Sequence, residues 1–162
     1  VKDYRPGLKS KVFAQNGELV AEYGINERIV VSQKQMPKIV QQAFVAAEDK
    51  NFYSHYGVDI FGVLKALVQS ASGKRSTLRG ASTITQQLAK SLLIKKEGYE
   101  QATARTISRK VKEAILARRL ENNLSKDEIL WMYLNEVYLG QSSYGVAAGA
   151  ATYFHKNLNN LS

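Results

Sequence analysis

The chain has 162 residues, no cysteine, and 23 Lys and Arg against 14 Asp and Glu, which gives a formal charge of +9. This length suits one domain with a hydrophobic core, and the lack of cysteine excludes disulfides, thiol catalysis and thiolate metal sites. The charge favours an anionic partner such as nucleic acid, anionic lipid or a phosphate-bearing substrate. No apolar run approaches the roughly 18–20 residues that span a bilayer. We expect residues 1–162 to be one domain of a longer protein, with an anchor before it and more chain after it.

A β hairpin is the first predicted element. The dipeptide Asn16-Gly17 separates two alternating segments, residues 12–14 and 18–21, and is typical of a two-residue hairpin turn. Residues 29–31 could add a third strand. We expect this small sheet to serve packing rather than chemistry.

A helix predicted over residues 37–47 leads to two adjacent carboxylates, Glu48 and Asp49. Its apolar face is predicted to contain Val40, Phe44 and Ala47. Glu48 lies one turn beyond Phe44 at the margin of that face, so we predict that it is partly buried. The negative end of a helix disfavours an acidic pair, so function explains the pair better than stability does.

Asp59 can cap a further helix over residues 60–68, which is apolar almost all round. A buried core helix explains this composition. A surface that dips into a membrane explains it too, with Lys65 and the basic loop over residues 70–80 at the lipid headgroups.

Ser82 or Thr83 caps the next predicted helix, which runs to residue 94. Its apolar line is Ile84, Leu88 and Leu92. A different face carries Thr83, Gln86, Gln87 and Lys90. A row of amides that ends in an ammonium suits recognition of sugar and phosphate groups, although a solvated surface explains the row almost as well.

A polar connection over residues 95–104 is predicted to precede a helix that reaches residue 122. The predicted buried stripe of this helix is Ile107, Val111, Ala114 and Ile115. Another face carries Arg105, Arg109, Lys112 and Glu113. One carboxylate thus lies among three cations, and a salt-bridged exposed face would also account for this pattern.

The C-terminal part is predicted to be helical. Ser125-Lys126-Asp127-Glu128 is a capping box that opens a helix through residue 135. Residues 144–155 alternate small residues with Gly145 and Gly149, so this segment can pack closely on a neighbour. The chain as a whole is therefore predicted to be mainly helical.

Two carboxylates on separate helices, Glu48 and Glu113, are typical of enzymes that process glycosyl groups. A partly buried Glu48 would suit proton abstraction, and Glu113 among cations would stay an anion. The nearby cations can neutralise a phosphate or pyrophosphate leaving group: Lys90, Arg105, Arg109 and Lys112. The sequence has no phosphate-binding P-loop, Rossmann glycine pattern or metal-binding histidine cluster, so a phosphate-bearing donor other than a nucleoside triphosphate fits best.

Four motifs follow one another along the chain. They are Glu48-Asp49-x-x-Phe52-x-x-His55-x-Gly57, Gly80-Ala81-Ser82-Thr83-x-Thr85-Gln86-Gln87-x-x-Lys90, Arg109-Lys110-x-x-Glu113, and Lys126-x-x-Ile129-Leu130-x-x-Tyr133-Leu134-Asn135 with Gly140. In this order, from about residue 8 to the end, the sequence resembles the peptidoglycan glycosyltransferases. These are the transglycosylase domains of class A penicillin-binding proteins and the monofunctional transglycosylases.

The resemblance implies a mainly α fold similar to that of phage lysozyme, with a small N-terminal β hairpin and a membrane-associated lobe. It implies an enzyme that polymerises lipid II at the outer, periplasmic face of the bacterial cytoplasmic membrane. Glu48 matches the base that takes the proton from the 4-hydroxyl of the acceptor GlcNAc. That oxygen attacks C1 of the MurNAc at the reducing end of the growing glycan chain, inverts it and expels undecaprenyl pyrophosphate.

The resemblance also implies the rest of the site. Glu113 matches a second essential glutamate near the donor pyrophosphate, and Lys90, Arg105 and Lys112 match diphosphate-binding positions. The motif residues that line the family's cleft match Asp49, Ser82, Thr83, Gln86 and Gln87. Many family members use a divalent cation at the pyrophosphate, so Mg²⁺ or Mn²⁺ near Glu113 is an expectation to be tested, although the cations here can serve without one.

Some features depart from the family pattern. Ser91 replaces a usual Asn, and Tyr153-Phe154-His155-Lys156 replaces Tyr-Phe-Gly-Lys, so His155 is expected to alter a local turn. The connection over residues 95–104 is also longer than in many relatives. The hairpin and a strand at Glu27 and Arg28 resemble class A proteins more than monofunctional enzymes, so we expect a transpeptidase domain in the parent chain.

Two other interpretations stay open. A non-catalytic basic helical domain would bind nucleic acid or anionic lipid, whereas the transferase interpretation expects no nucleic acid partner. A lysozyme-like hydrolase would cut finished peptidoglycan. The cations around Glu113 argue against the hydrolase, because a neutral glycosidic leaving group does not require them.

Overall fold

The computed structural model describes residues 10–23, 27–62, 64, 82–103 and 106–161. Within these residues the predicted mainly helical fold with a small N-terminal hairpin is confirmed. The chain divides into two compact units, one formed by residues 1–37 and 134–162 and the other by residues 38–133. No helix in the described part combines the length and the apolar character needed to cross a membrane.

In the first unit, strands β1 (Ser10–Phe13) and β2 (Leu19–Tyr23) pair in an antiparallel hairpin. The prediction of a two-residue turn is wrong, because Ala14 donates its amide hydrogen to the carbonyl of Glu18 across a three-residue loop. Gly17 has φ 84° and donates to the Ala14 carbonyl at 2.9 Å. A left-handed glycine at the end of a turn is typical of such three-residue hairpin loops.

A second small sheet in this unit pairs β3 (Glu27–Arg28) with β4 (Ser143–Tyr144) in parallel. The strand expected at Glu27 and Arg28 is present, but the strand expected over residues 29–31 is not. The backbone of Val31 instead pairs with the side-chain amide of Asn135, at 2.9 and 3.2 Å.

The first unit also contains the last α-helix, Val146–Phe154. Its close packing, predicted from small residues, is confirmed, since a Cβ on Gly149 would lie 2.6 Å from Leu139 Cδ1. His155 follows the helix in the left-handed conformation with φ 52°. A position that favours glycine therefore holds a histidine, as the departure from Tyr-Phe-Gly-Lys indicated.

The second unit carries the residues of the candidate site. Its helices are α1 (Lys38–Glu48), α2 (Ile84–Glu97), α3 (Tyr99–Thr103) and α4 (Ile107–Asn123), and α5 (Lys126–Glu136) begins in it. Helix α2 packs against both α3 and α4. The fully buried side chains of this unit include Phe52, Ile84, Leu88, Ile129 and Leu130. Of the apolar helix predicted over residues 60–68, residues 60–62 and 64 are helical, and the others lie outside the described residues. The same is true of the loop over residues 70–80 and of the predicted membrane-associated lobe.

The polar connection predicted over residues 95–104 is wrong, because helix α2 continues to Glu97 and α3 follows almost at once. Lys95 and Lys96 lie in the last turn of α2, where cations stabilise the negative end of a helix. Gly98, with φ 88°, then ends the helix, and its amide donates to the Ile94 carbonyl.

The buried stripe predicted for α4 is also wrong. Ile107 is 86% exposed, and Val111 and Ile115 are half exposed, whereas Glu113 and Ala117 are buried. The face that carries Glu113 can turn inward because cations neutralise this carboxylate. Residue hydrophobicity alone therefore assigned the wrong face of α4 to the core.

Candidate active site

Glu48 is the last residue of α1, and its side chain is exposed, so the prediction of partial burial is wrong. Val40 is the buried residue of α1, and Ala47 is exposed, so the last turn of the helix has left the core. One carboxylate oxygen, Oε2, accepts a hydrogen bond from Gln87 Nε2 at 2.9 Å. Glu48 thus combines solvent access with one fixed oxygen.

Gln87 in turn is held by Tyr133, a residue from α5. The Tyr133 hydroxyl donates to Gln87 Oε1 at 3.3 Å, and the Phe44 ring packs edge-on against the Tyr133 ring at 6.2 Å between centroids. Burial raises the pKa of Tyr133, and the negative charge of Glu48 raises it further, so the hydroxyl stays protonated at neutral pH. Tyr133 was not among the predicted site residues, although it lies in the fourth motif.

Asp49, next to Glu48, is buried and faces the start of α2. Its carboxylate accepts the Ile84 amide hydrogen at 3.0 Å and lies 2.9 Å from His55 Nε2. His55 Nδ1 accepts the amide hydrogen of Gly57, which leaves Nε2 to carry the proton toward Asp49. Asp49 and His55 therefore fasten the turn after α1 to the N-terminus of α2.

Thr83 and Gln86 form a complete capping box at the start of α2. Thr83 Oγ1 accepts the Gln86 amide hydrogen at 3.1 Å, and Gln86 Oε1 accepts the Thr83 amide hydrogen at 3.1 Å. The Thr83 hydroxyl also donates to the Gly57 carbonyl at 2.6 Å. Both side chains are buried, so their polar groups serve the fold, and their contact with substrate stays a prediction.

Glu113 on α4 is 2% exposed, and each of its carboxylate oxygens meets a cation. Arg109 Nη1 lies 2.5 Å from Oε2, as the spacing predicted, and Lys110 Nζ donates to Oε1. Lys110 Nζ also donates to Ser82 Oγ at 2.9 Å, which links two of the sequence motifs. Lys110 was not among the predicted site residues, although its separation of three residues from Glu113 indicates a neighbour on the same helical face.

The remaining predicted cations are placed differently. Lys112 lies 3.4 Å from the carboxylate of Glu97 on α2 and is not brought to Glu113. Lys90 is half-buried on α2 and has no hydrogen-bond or ion-pair partner within the described ranges. Arg105 lies outside the described residues. The cations that contact Glu113 in the described part of the chain are therefore Arg109 and Lys110.

The surroundings of Glu113 do not suit a divalent ion, because both of its carboxylate oxygens already accept hydrogen bonds from cations. Over the residues that the structure describes, no cluster of three or more His, Asp or Glu side chains could hold a metal. A Mg²⁺ or Mn²⁺ ion near Glu113 stays an untested expectation.

Comparison with known proteins identifies the family. Residues 16–162 match the family model described as transglycosylase. Penicillin-binding protein 1A of Escherichia coli (strain K12) is 45% identical over 162 residues, that of Neisseria flavescens 43% over 163 residues, and that of Neisseria gonorrhoeae 41% over 162 residues. Each match covers 99% of this chain and 18% or 19% of the relative, so the chain spans less than a fifth of the length of these relatives.

The family predicted from the order of the four sequence motifs is thus confirmed. The chain belongs to the transglycosylase family and is a peptidoglycan glycosyltransferase domain of the kind found in class A penicillin-binding proteins.

Proposed function

We propose that this chain polymerises lipid II into the β-1,4-linked glycan strands of peptidoglycan, with Glu48 as the general base. The observation that carries this proposal is the exposed carboxylate of Glu48, in the same compact unit as a basic cluster built on Glu113. The growing chain is the donor, and lipid II is the acceptor.

The surroundings of Glu48 suit a base. Oε2 accepts from Gln87, and Oε1 has no hydrogen-bond partner within the part of the chain that the structure describes. A sugar hydroxyl can therefore approach Oε1 from solvent and donate its proton there. As the acceptor O4 loses this proton, it forms a bond to C1 of the donor MurNAc, and the bond from C1 to the pyrophosphate oxygen breaks. Attack opposite to the leaving group inverts C1.

The leaving lipid pyrophosphate gains negative charge as the C1–O bond breaks, so cations nearby lower the barrier. Arg109 and Lys110 are suited to this role because their side chains are 19% and 43% exposed, whereas the carboxylate between them is buried. Two cations and one anion leave this cluster with a net charge of +1. Both oxygens of Glu113 are occupied, so we assign Glu113 to holding these cations rather than to proton transfer. Lys90, Arg105 and Lys112 stay proposed contributors to the diphosphate site.

We further propose that the parent chain acts at the outer, periplasmic face of the cytoplasmic membrane and contains a transpeptidase domain. The support is that the relatives are named penicillin-binding proteins and that this chain matches less than a fifth of each of them.

The test is to incubate the protein with fluorescently labelled lipid II and to resolve the products by length. We expect the wild type to give a ladder of glycan polymers and Glu48→Gln to lower the rate by about 10²- to 10⁴-fold, the usual contribution of a general base. Glu100→Gln, an exposed glutamate in α3, is the matched control and should polymerise as the wild type does.

The alternatives predict other outcomes. Fragments released from finished peptidoglycan, without any need for lipid II, would indicate a hydrolase. A domain that binds nucleic acid or anionic vesicles equally well with and without Glu48→Gln, and that makes no polymer, would be a binding module. Either result would refute the proposed polymerisation.

A further inference from the structure

Two hydrogen bonds in series connect three helices at Glu48, the proposed general base. Tyr133 on α5 donates to Gln87 Oε1 at 3.3 Å, and Gln87 Nε2 on α2 donates to Glu48 Oε2 at the end of α1 at 2.9 Å. Tyr133 is 3% exposed, Gln87 is half-buried and Glu48 is exposed, so the series runs from the interior to the surface.

We propose that Gln87 and Tyr133 are positioning residues for the reaction: Gln87 fixes the Glu48 carboxylate, and Tyr133 fixes the orientation of the Gln87 amide. This proposal rests on the proposed role of Glu48 as the base. It assigns Gln87 a function other than the substrate contact implied by its motif, and it adds Tyr133 to the catalytic apparatus.

The chemistry of the amide makes its orientation matter. A glutamine side chain has an acceptor oxygen at one side and a donor nitrogen at the other. If the amide turned over, Oε1 would face the Glu48 carboxylate, and two acceptors would repel each other. The Tyr133 hydroxyl donates to Oε1 and so stabilises the orientation in which the NH₂ group faces Glu48.

The position of Tyr133 makes it a dependable donor. Its pKa is raised by burial and by the charge of Glu48, so the hydroxyl keeps its proton in neutral and mildly alkaline solution. Phe44, one turn before Glu48 on the same helix, packs against the Tyr133 ring. Helix α1, which carries Glu48, therefore also restrains Tyr133, the residue that orients the Gln87 amide. Packing of this kind holds functional side chains in place in well-ordered sites.

A double-mutant cycle tests this proposal by measuring kcat and KM for lipid II polymerisation. We expect Gln87→Leu to lower kcat by about 10- to 100-fold, because a base displaced by a fraction of an ångström loses its alignment. Tyr133→Phe keeps the ring and should lower kcat by roughly 3- to 10-fold, the effect of one net hydrogen bond. KM should change less than about twofold in both. Because Tyr133 acts through Gln87, the double variant should be no slower than Gln87→Leu alone.

Controls separate positioning from folding. Tyr53→Phe removes a hydroxyl from an exposed tyrosine of the same unit and should leave kcat unchanged. Thermal melting of each variant shows whether it is folded. If Tyr133→Phe does not fold, Gln87→Asn tests the same link, since it keeps the amide but withdraws it from both partners, and it should lose kcat as Gln87→Leu does.

Several results would overturn the proposal. A raised KM with unchanged kcat in Gln87→Leu would make Gln87 a substrate contact, and additive losses in the double variant would show that Tyr133 does not act through Gln87. Glu48→Gln distinguishes failure of the proposed function from failure of the positioning proposal. If it polymerises normally, the proposed function fails. If it is inactive while Gln87→Leu and Tyr133→Phe keep the wild-type kcat, only the positioning proposal fails.

Discussion

The two candidate catalytic carboxylates occupy opposite environments. Glu48 is exposed at the end of a helix, and a neutral amide holds one of its oxygens. Glu113 is buried within a helix, and both of its oxygens meet cations. An accessible carboxylate with a free oxygen can exchange a proton with substrate, whereas a buried carboxylate between cations organises charge. We therefore expect these two glutamates to divide the chemistry through their surroundings alone.

Removal of the buried carboxylate tests this contrast through the stability of the fold. Glu113→Gln leaves Arg109 and Lys110 without their shared anion, so we expect the free energy of unfolding to fall by about 1–3 kcal/mol. Breaking a fully buried ion pair costs more than this. The loss is smaller here because Lys110 is partly solvated. Urea denaturation measures the change.

Two matched variants complete this comparison. Glu97→Gln removes the partner of Lys112 from an exposed pair, and Glu48→Gln removes the accessible carboxylate. Each should change the free energy of unfolding by less than about 0.5 kcal/mol, as surface changes usually do. Equal destabilisation by all three substitutions would contradict the contrast between a structural and an accessible carboxylate.

An effect on activity distinguishes two neighbouring lysines of α4. Lys110 contacts Glu113 and Ser82, whereas Lys112 contacts Glu97. We expect Lys110→Met to slow polymerisation roughly tenfold or more, since one charge-assisted contact is worth about 1.5–3 kcal/mol, and Lys112→Met to have a smaller effect. Initial rates with labelled lipid II measure both. A larger loss in Lys112→Met would support the diphosphate role implied by the family resemblance and would reduce the importance of Lys110.

Local features of the fold could be predicted from the sequence because their causes are local. The cap of α2, predicted at Ser82 or Thr83, forms at Thr83, and the capping box predicted at Ser125 also forms. Each depends on residues three positions apart. Asp59 likewise accepts the amide hydrogen of Gly62 at 2.8 Å. The order of the motifs was enough to identify the family.

The roles of adjacent residues could not be predicted, because they depend on which face of a helix meets the core. Gln86 turns inward to complete a cap, whereas Gln87 turns to Glu48. On α4, buried ion pairs override the apolar stripe, so Ile107 is exposed and Glu113 is not. Helical spacing places residues on a common face, but only tertiary contacts decide whether that face is covered.

A further effect on stability concerns a third carboxylate, Asp59, which resembles Glu48 in accepting hydrogen bonds from neutral donors. The Asn51 amide at 2.9 Å, followed by the Gly62 backbone amide, lowers the pKa of Asp59 in the folded protein. A lowered pKa stabilises the fold above the unfolded value of about 4, and this contribution is lost as pH falls through the folded pKa.

Asp59→Ala should therefore lower the free energy of unfolding by about 0.5–1 kcal/mol at pH 7, the usual range for loss of a helix cap. The gap to the wild type should be smaller at pH 3 than at pH 7, because the contribution of the ionised carboxylate decreases once pH falls below the unfolded pKa of about 4. Asp59→Asn, which keeps a capping oxygen without the charge, should differ from Asp59→Ala by the same amount at both values. Urea denaturation at pH 7 and pH 3 measures all three proteins. The difference in free energy of unfolding between wild type and Asp59→Ala could instead be the same at both pH values. That result would show that the charge of Asp59 does not stabilise the fold, and that hydrogen bonds from neutral donors do not favour the ionised carboxylate.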